Sequence, residues 1–277
     1  MPGAVTFLVF SLLLGFVTHA LLSAGGAIAS RLDLMKTNFE GRRIPDLGWA
    51  LWCAALIGYC TLARVSGDGT WQAFALITLV SGLVGIIDDR FGSHRFGGFR
   101  GHFGELARGH LTTGAAKELI LPPAAMLTAM FCLHQSAAPA FLTAVLVALG
   151  ANTINMLDIR PGSGVAAWLL SSAALVLCSF CLSVGALPLL LMVCPVMVYL
   201  PVDAGLRGML GDTGSNLLGA LLGLQIAVST GPVVALPAAV ALIYLEVYGE
   251  EHRVTPNIAD HPAIQWLVRL ARRLDWE

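Results

Sequence analysis

The chain has 277 residues, 57% hydrophobic and 12% charged, with a mean hydropathy of +0.78 and a formal net charge of −1. Soluble domains carry about 25% charged residues, so this low density in long apolar blocks excludes an ordinary soluble domain and makes lipid the main solvent. The near-neutral balance offers no bulk attraction for nucleic acid, and the basic residues matter through their placement.

A membrane-crossing helix needs roughly 20 mostly apolar residues. On that measure the sequence predicts about nine spans, at 4–29, 47–65, 71–87, 112–134, 139–157, 164–183, 186–202, 214–230 and 233–248. The first has no basic region before it and no small-residue cleavage site, so it is expected to be a retained span. The runs lack the two-residue alternation of a membrane barrel strand, which leaves helices. The six cysteines, Cys53, Cys60, Cys132, Cys178, Cys181 and Cys194, lie inside apolar blocks without metal-type spacing. The Cys178-x-x-Cys181 pair sits in LVLCSFCLSV and reads as apolar filler. The expected fold is all-α, a polytopic transmembrane helix bundle with a single membrane domain over 1–257. In the tail, 258–277, Ile264, Leu267, Val268, Leu270, Ala271 and Leu274 recur at helical spacing between Arg269, Arg272 and Arg273. That pattern predicts an amphipathic helix, lying on the inner leaflet or binding a partner helix.

Basic residues collect on the cytoplasmic side of membrane proteins. With nine spans and the N-terminus outside, the inner loops are 30–46, 88–111, 158–163, 203–213 and 249–277. Of the 16 Lys and Arg, only Arg64 then falls outside, which supports span count and orientation together. The expectation is a multi-pass plasma-membrane protein with a cytoplasmic C-terminus and its active site on the cytoplasmic face.

Four polar clusters interrupt the apolar pattern, all on that face. Asp88 and Asp89 end the third span in GIIDDR, where two adjacent carboxylates repel and meet the negative end of their own helix dipole. They read either as a cap partnered by Arg90 or Arg95, or as a site for a cation or proton. Asn152, Asn155 and Asp158, spaced by three in ANTINMLDIRPG, project from one side of the last turns of the fifth span. Polar groups at that depth bond between helices or line a site. GLRGMLGDTGSN surrounds Asp212 with Gly205, Gly208, Gly211 and Gly214 before Ser215 and Asn216. A glycine-rich turn entering a helix exposes N–H groups suited to phosphate, and Asp212 caps that helix or holds Mg2+. Lys117, in HLTTGAAKELI, snorkels outward or faces the same cavity as the acids. Arg42 and Arg43 precede a proline turn in NFEGRRIPDLGW and by themselves make an ordinary basic loop.

The order of these motifs resembles the polyprenyl-phosphate N-acetylhexosamine-1-phosphate transferases, the superfamily that includes phospho-N-acetylmuramoyl-pentapeptide transferase. The likeness runs from about Asn38 to Gly219 and rests on GRRIP, Asp88-Asp89, LTTGAAKELI, Asn152-x-x-Asn155-x-x-Asp158 and GDTGSN. Two departures stand out. Asp158 is followed by Ile159-Arg160-Pro161-Gly162 where relatives continue with a second aspartate and glycine, and EEHRVTPNIADH carries only isolated His252 and His261 where many have a histidine-rich loop.

The resemblance implies Mg2+-dependent transfer of a sugar 1-phosphate from a UDP-sugar to polyprenyl phosphate, releasing UMP, with Mn2+ as a substitute ion. It implies Asp88, Asp89, Asp158 and Asp212 as catalytic residues, and Asp212 with Asn155 as metal ligands. Arg42, Arg43, Lys117, Asn152, Asn155, Gly211, Gly214 and Ser215 are the implied substrate-binding residues. Implied partners are the lipid phosphate, the UDP-sugar and the membrane, with a homodimer left open. The rival expectations are a catalytically silent relative that binds the lipid carrier, and a secondary transporter, whose polar site belongs near the bilayer midplane.

Overall fold

A computed structural model describes residues 4–38, 40–92, 108, 112–181, 187–251 and 254–274. Arg95, Arg100, His252 and Arg253, and the side chains of Cys178 and Cys181, lie outside the described residues. In chain order the elements are α1 (Ala4–Arg31), β1 (Met35–Thr37), β2 (Arg43–Pro45), α2 (Gly48–Ser66), α3 (Gly69–Phe91), α4 (Thr113–Cys132) and α5 (Ala137–Leu157). There follow α6 (Ser163–Cys181), α7 (Leu187–Ala204), α8 (Gly211–Ser229), α9 (Pro232–Glu251), α10 (Val254–Ala259) and α11 (Pro262–Arg273).

Each of the nine apolar runs is a helix, within a few residues of its expected bounds. Local chemistry sets several ends. Asp68 caps α3 by accepting from Thr70 N, Thr112 caps α4 by accepting from Ala115 N, and Gly67 closes α2 in the left-handed region. Among the described residues, seven helices (α1–α5, α7 and α9) are long and apolar enough to cross a membrane, which makes the chain a multi-pass membrane protein. Their outer faces carry Leu13, Phe16, Phe131, Phe141, Met197 and Val240 more than half exposed, as a lipid-facing belt requires.

The other two of the nine helices fall short of that measure. The described apolar stretch of α6, Ser163–Leu177, is shorter than a full span. Helix α8 is too polar, and its environment explains why. Thr213, Ser215, Asn216, Gln225 and Ser229 are all buried along it, and Leu217, Leu218, Ala220 and Leu221 are fully covered. It runs through the centre of the bundle against α2, α3, α5 and α6, so protein and not lipid surrounds it.

Small residues let its neighbours approach. A Cβ on Gly219 would lie 2.1 Å from Gly150 O, and one on Gly223 would lie 2.1 Å from Leu146 O. The Gly219-x-x-x-Gly223 face therefore packs backbone to backbone on α5, the usual way membrane helices gain contact without a hydrophobic driving force.

The chain is not purely helical. β1 and β2 form a short antiparallel hairpin in which Lys36 pairs with Ile44 and Thr37 with Arg43. Leu47 N donates to Met209 O at 2.9 Å and Met209 N to Pro45 O at 2.9 Å, tying the hairpin's exit to the loop before α8. At the other end of the sequence, α11 is amphipathic as expected, but one ridge is already seated. Ile264, Val268 and Ala271 bury against α6 and α7, and Arg272 Nε donates to Ala204 O at 2.9 Å. Trp266, Leu270 and Leu274 remain exposed on its outer side.

Candidate active site

The site is built around the first turn of α8. A helix N-terminus leaves N–H groups without intrahelical partners and carries partial positive charge. Here the anion that meets them comes from α3. Asp89 accepts from Asp212 N at 2.8 Å, from Thr213 N at 2.7 Å and from Thr213 Oγ1 at 2.5 Å. The carboxylate that sits unfavourably at the C-terminus of its own helix thus lies at the favourable end of another. Contact this close needs glycine one turn earlier, because a Cβ on Gly85 would fall 2.4 Å from Thr213 Cα.

The expected cradle of free N–H groups is therefore partly filled by the protein itself. Gly211, with φ +62°, takes a backbone conformation that favours glycine, and a Cβ there would fall 2.4 Å from Asp46 Oδ2. Gly214 packs on Gly48, and Ser215 Oγ donates back to Gly211 O at 2.8 Å. These three residues shape the turn.

Asp89 also accepts a hydrogen bond from Lys36, which the hairpin delivers into the bundle. Lys36 Nζ lies 3.3 Å from Asp46 Oδ2, and the side chains of Asp46 and Asp89 are only 4% and 3% exposed. Burial opposes the ammonium charge, but the Asp89 and Asp46 carboxylates outweigh it and hold Lys36 above the ordinary lysine range. Burial, reinforced by the Asp89 charge and opposed by Lys36, pushes the Asp46 carboxyl well above the usual carboxylate range. Beside this group is a cavity of about 410 Å3 lined by Asp33, Lys36, Arg43, Asp46, Asp89 and Arg90.

On the other side of the α8 turn, Asn155 Nδ2 donates to Asp212 Oδ1, joining α5 to α8. Lys117, nine-tenths buried, donates to Asn216 Oδ1 at 3.4 Å and so faces the same end of the bundle as the acids. That contact leaves Asn216 Nδ2 buried without a partner among the described residues, a donor available to an oxygen of a ligand.

The three residues of the Asn/Asp motif go to different neighbours. Asn152 Nδ2 donates to Glu118 Oε1 at 2.7 Å, Asn155 meets Asp212, and Asp158 turns toward Gly164 in the first turn of α6. Burial, then the negative field of Asp203, holds the Asp158 carboxyl above its usual range. Asp203 is itself buried at the end of α7 and accepts from Gly162 N at 3.0 Å. Asp88, the residue before Asp89 in the last turn of α3, is half-buried. Arg42 pairs with Glu40, and Arg43 lies 3.8 Å from Asp33; both arginines are about two-thirds exposed.

Lys36, Asp46, Glu118 and Asp203 were not singled out by sequence. Lys36 reads there as one more inner-loop cation, and Asp46 as part of a proline turn. The sequence feature that accompanies these close approaches is glycine at 48, 85 and 211, where a Cβ would strike a neighbouring element.

Among the described residues, no three His, Cys, Asp or Glu side chains cluster as a metal cage. Mg2+ does not need one, since it is commonly held by one or two carboxylates with phosphate oxygens and water. Asp212 supplies a carboxylate, and reversing the Asn155 amide would set its oxygen beside that carboxylate. This hard-oxygen pair fits Mg2+ or Mn2+. No family model matches the chain, and no curated protein matches it.

Proposed function

We propose that this protein transfers a sugar 1-phosphate from a UDP-sugar to polyprenyl phosphate, giving a polyprenyl-diphosphate sugar and UMP. The observation that carries the reading is the contact between Asn155 and Asp212, with Lys117 and the partnerless Asn216 Nδ2 at the same end of the bundle. A carboxylate, a side-chain amide that can turn its oxygen beside it, a cation and a spare donor, drawn from α4, α5 and α8, make a set suited to a diphosphate at a membrane boundary. In this reading that boundary is cytoplasmic, the N-terminus is outside, and α6 and α8 complete nine passes of the plasma membrane.

Phosphoryl transfer asks a protein mainly for positioning and charge neutralisation. An oxygen of the lipid phosphate attacks the β-phosphorus of the donor. The bond from that phosphorus to the bridging oxygen breaks, and its electron pair leaves with UMP. Asp212 and Asn155 would hold the ion, which when bound supplies charge neutralisation on the diphosphate. Lys117 binds a phosphate oxygen, and Asn216 orients the Lys117 ammonium. The acceptor phosphate, with a second pKa of about 6, is already largely ionised at neutral pH. Asp88 therefore orients the acceptor and removes no essential proton. Asp89, with both oxygens bonded to α8, holds the turn. Asp158 orients the nucleotide, and Arg43 supplies positive charge at the hairpin side.

The test is UMP release by purified protein given polyprenyl phosphate and a panel of UDP-sugars, with and without Mg2+. Release that needs lipid, one donor and the ion, and that is lost in Asp212→Asn, is the expected outcome. Full activity in Asp212→Asn removes the site assignment, and no release with any donor removes the reaction.

A further inference from the structure

We infer that Lys36 is a positioning residue whose ammonium acts as the fixed internal cation of this site, holding Asp89 against the first turn of α8 and thereby setting Asp212. The inference rests on the transferase reading for what Asp212 does, but its geometry is independent of it.

The hairpin exists in a register that pairs Lys36 with Ile44, and Ile44 is buried. Successive strand residues point to opposite faces, so Lys36 and Ile44 share the inward face while Thr37 and Arg43 share the outward one. Lys36 thereby reaches two nearly inaccessible carboxylates, Asp46 and Asp89. Without it, two buried negative charges would face each other unpaired. Repulsion of that kind is strongly destabilising unless a proton or an ion takes the cation's place.

The mechanical consequence follows from what Asp89 does with its oxygens. Oδ1 takes both the Lys36 ammonium and Asp212 N, and Oδ2 takes Thr213 N and Thr213 Oγ1. Lys36 is thus one atom removed from the backbone amide of Asp212. Asp46 anchors the same lysine from the other side while lying against Gly211. The hairpin, the end of α3 and the start of α8 are locked through one nitrogen. A carboxylate that must present its oxygens to a diphosphate needs its backbone held, and small misplacements of such groups are costly to rate.

The decisive comparison is wild type, Lys36→Met and Lys36→Arg, with the charge-balanced double variant Lys36→Met/Asp46→Asn in case the single loss of charge prevents folding. Hydrogen exchange of the 211–216 segment is read first, because it depends on the Asp89 cap and not on turnover. Exchange at Asp212 and Thr213 is expected to quicken by about tenfold in either Met-containing variant and to return most of the way in Lys36→Arg. Steady-state assays are expected to show kcat reduced by about tenfold or more, with KM for lipid phosphate little changed. Unaltered exchange overturns the inference, as does unaltered kcat in a wild type shown to be active. A raised KM with unchanged kcat also overturns it, since Lys36 would then bind substrate. If wild type shows no transfer with any donor, the proposed reaction falls and the exchange result alone decides the role of Lys36.

Discussion

Adjacent aspartates at the end of α3 have unequal roles, and replacing them one at a time separates cap from surface acid. Asp89 is held by Lys36, two backbone amides of α8 and the Thr213 hydroxyl, with its side chain only 3% exposed. Asp88 remains half-buried, and Gly92 N donates to its carbonyl, a contact that a side-chain change leaves alone. Removing one partner of a buried ion pair typically costs about 3–5 kcal/mol because the other charge is stranded. Hydrogen bonds to a charged group contribute about 1.5–3 kcal/mol each. These overlap, so Asp89→Ala is expected to lose about 3–5 kcal/mol in total, and Asp89→Asn less, because an amide oxygen still accepts from α8. Asp88→Asn and Asp88→Ala are expected to stay within about 0.5 kcal/mol of wild type. The assay is denaturation of detergent-solubilised protein, followed by tryptophan fluorescence. Equal midpoints for the Asp88 and Asp89 variants would refute the capping argument.

Two further outcomes follow from the same geometry. Gly219→Ala places a methyl 2.1 Å from Gly150 O, a backbone atom that cannot rotate away, and is expected to lower stability by about 1–3 kcal/mol, measured as a denaturation midpoint. Gly231→Ala, with open space around its Cβ, serves as the tolerant control. Lys36 is held above its ordinary value of 10.5, so the stability it contributes is fully present below that pH and is lost only as pH rises through the elevated value. The midpoint difference between wild type and Lys36→Met is therefore expected not to fall as pH rises from neutral to 10.5, and a difference that shrinks over that range contradicts the pairing.

The helical layout was legible because lipid imposes a simple rule: long apolar runs become helices, and all nine runs did. The rule cannot tell a lipid-facing helix from one wrapped in protein, and so nothing in the apolar pattern sets α8, with its buried Asn216 and Gln225, apart from the helices around it. The hairpin escaped because three-residue strands carry no periodic signal, and with it went Lys36. The spacing of Asn152, Asn155 and Asp158 does not put all three on one neighbour. At 3.6 residues per turn, steps of three drift, and the outer two residues differ by about 120° around the helix. That drift sends Asn152 to Glu118 on α4, Asn155 to Asp212 on α8, and Asp158 toward Gly164 at the start of α6. The residues that bear charge were visible one by one, whereas their pairing across α3, α8 and the hairpin depends on contacts no local pattern encodes.

The most direct test of the central claim follows the phosphorus. With a UDP-sugar radiolabelled at its β-phosphorus, polyprenyl phosphate and Mg2+, transfer of a sugar 1-phosphate carries the label into the lipid extract and leaves unlabelled UMP in water. Labelled lipid is expected with wild type and none with Asp212→Asn. Label that stays in the aqueous phase while sugar reaches the lipid, or no transfer of either, would contradict it.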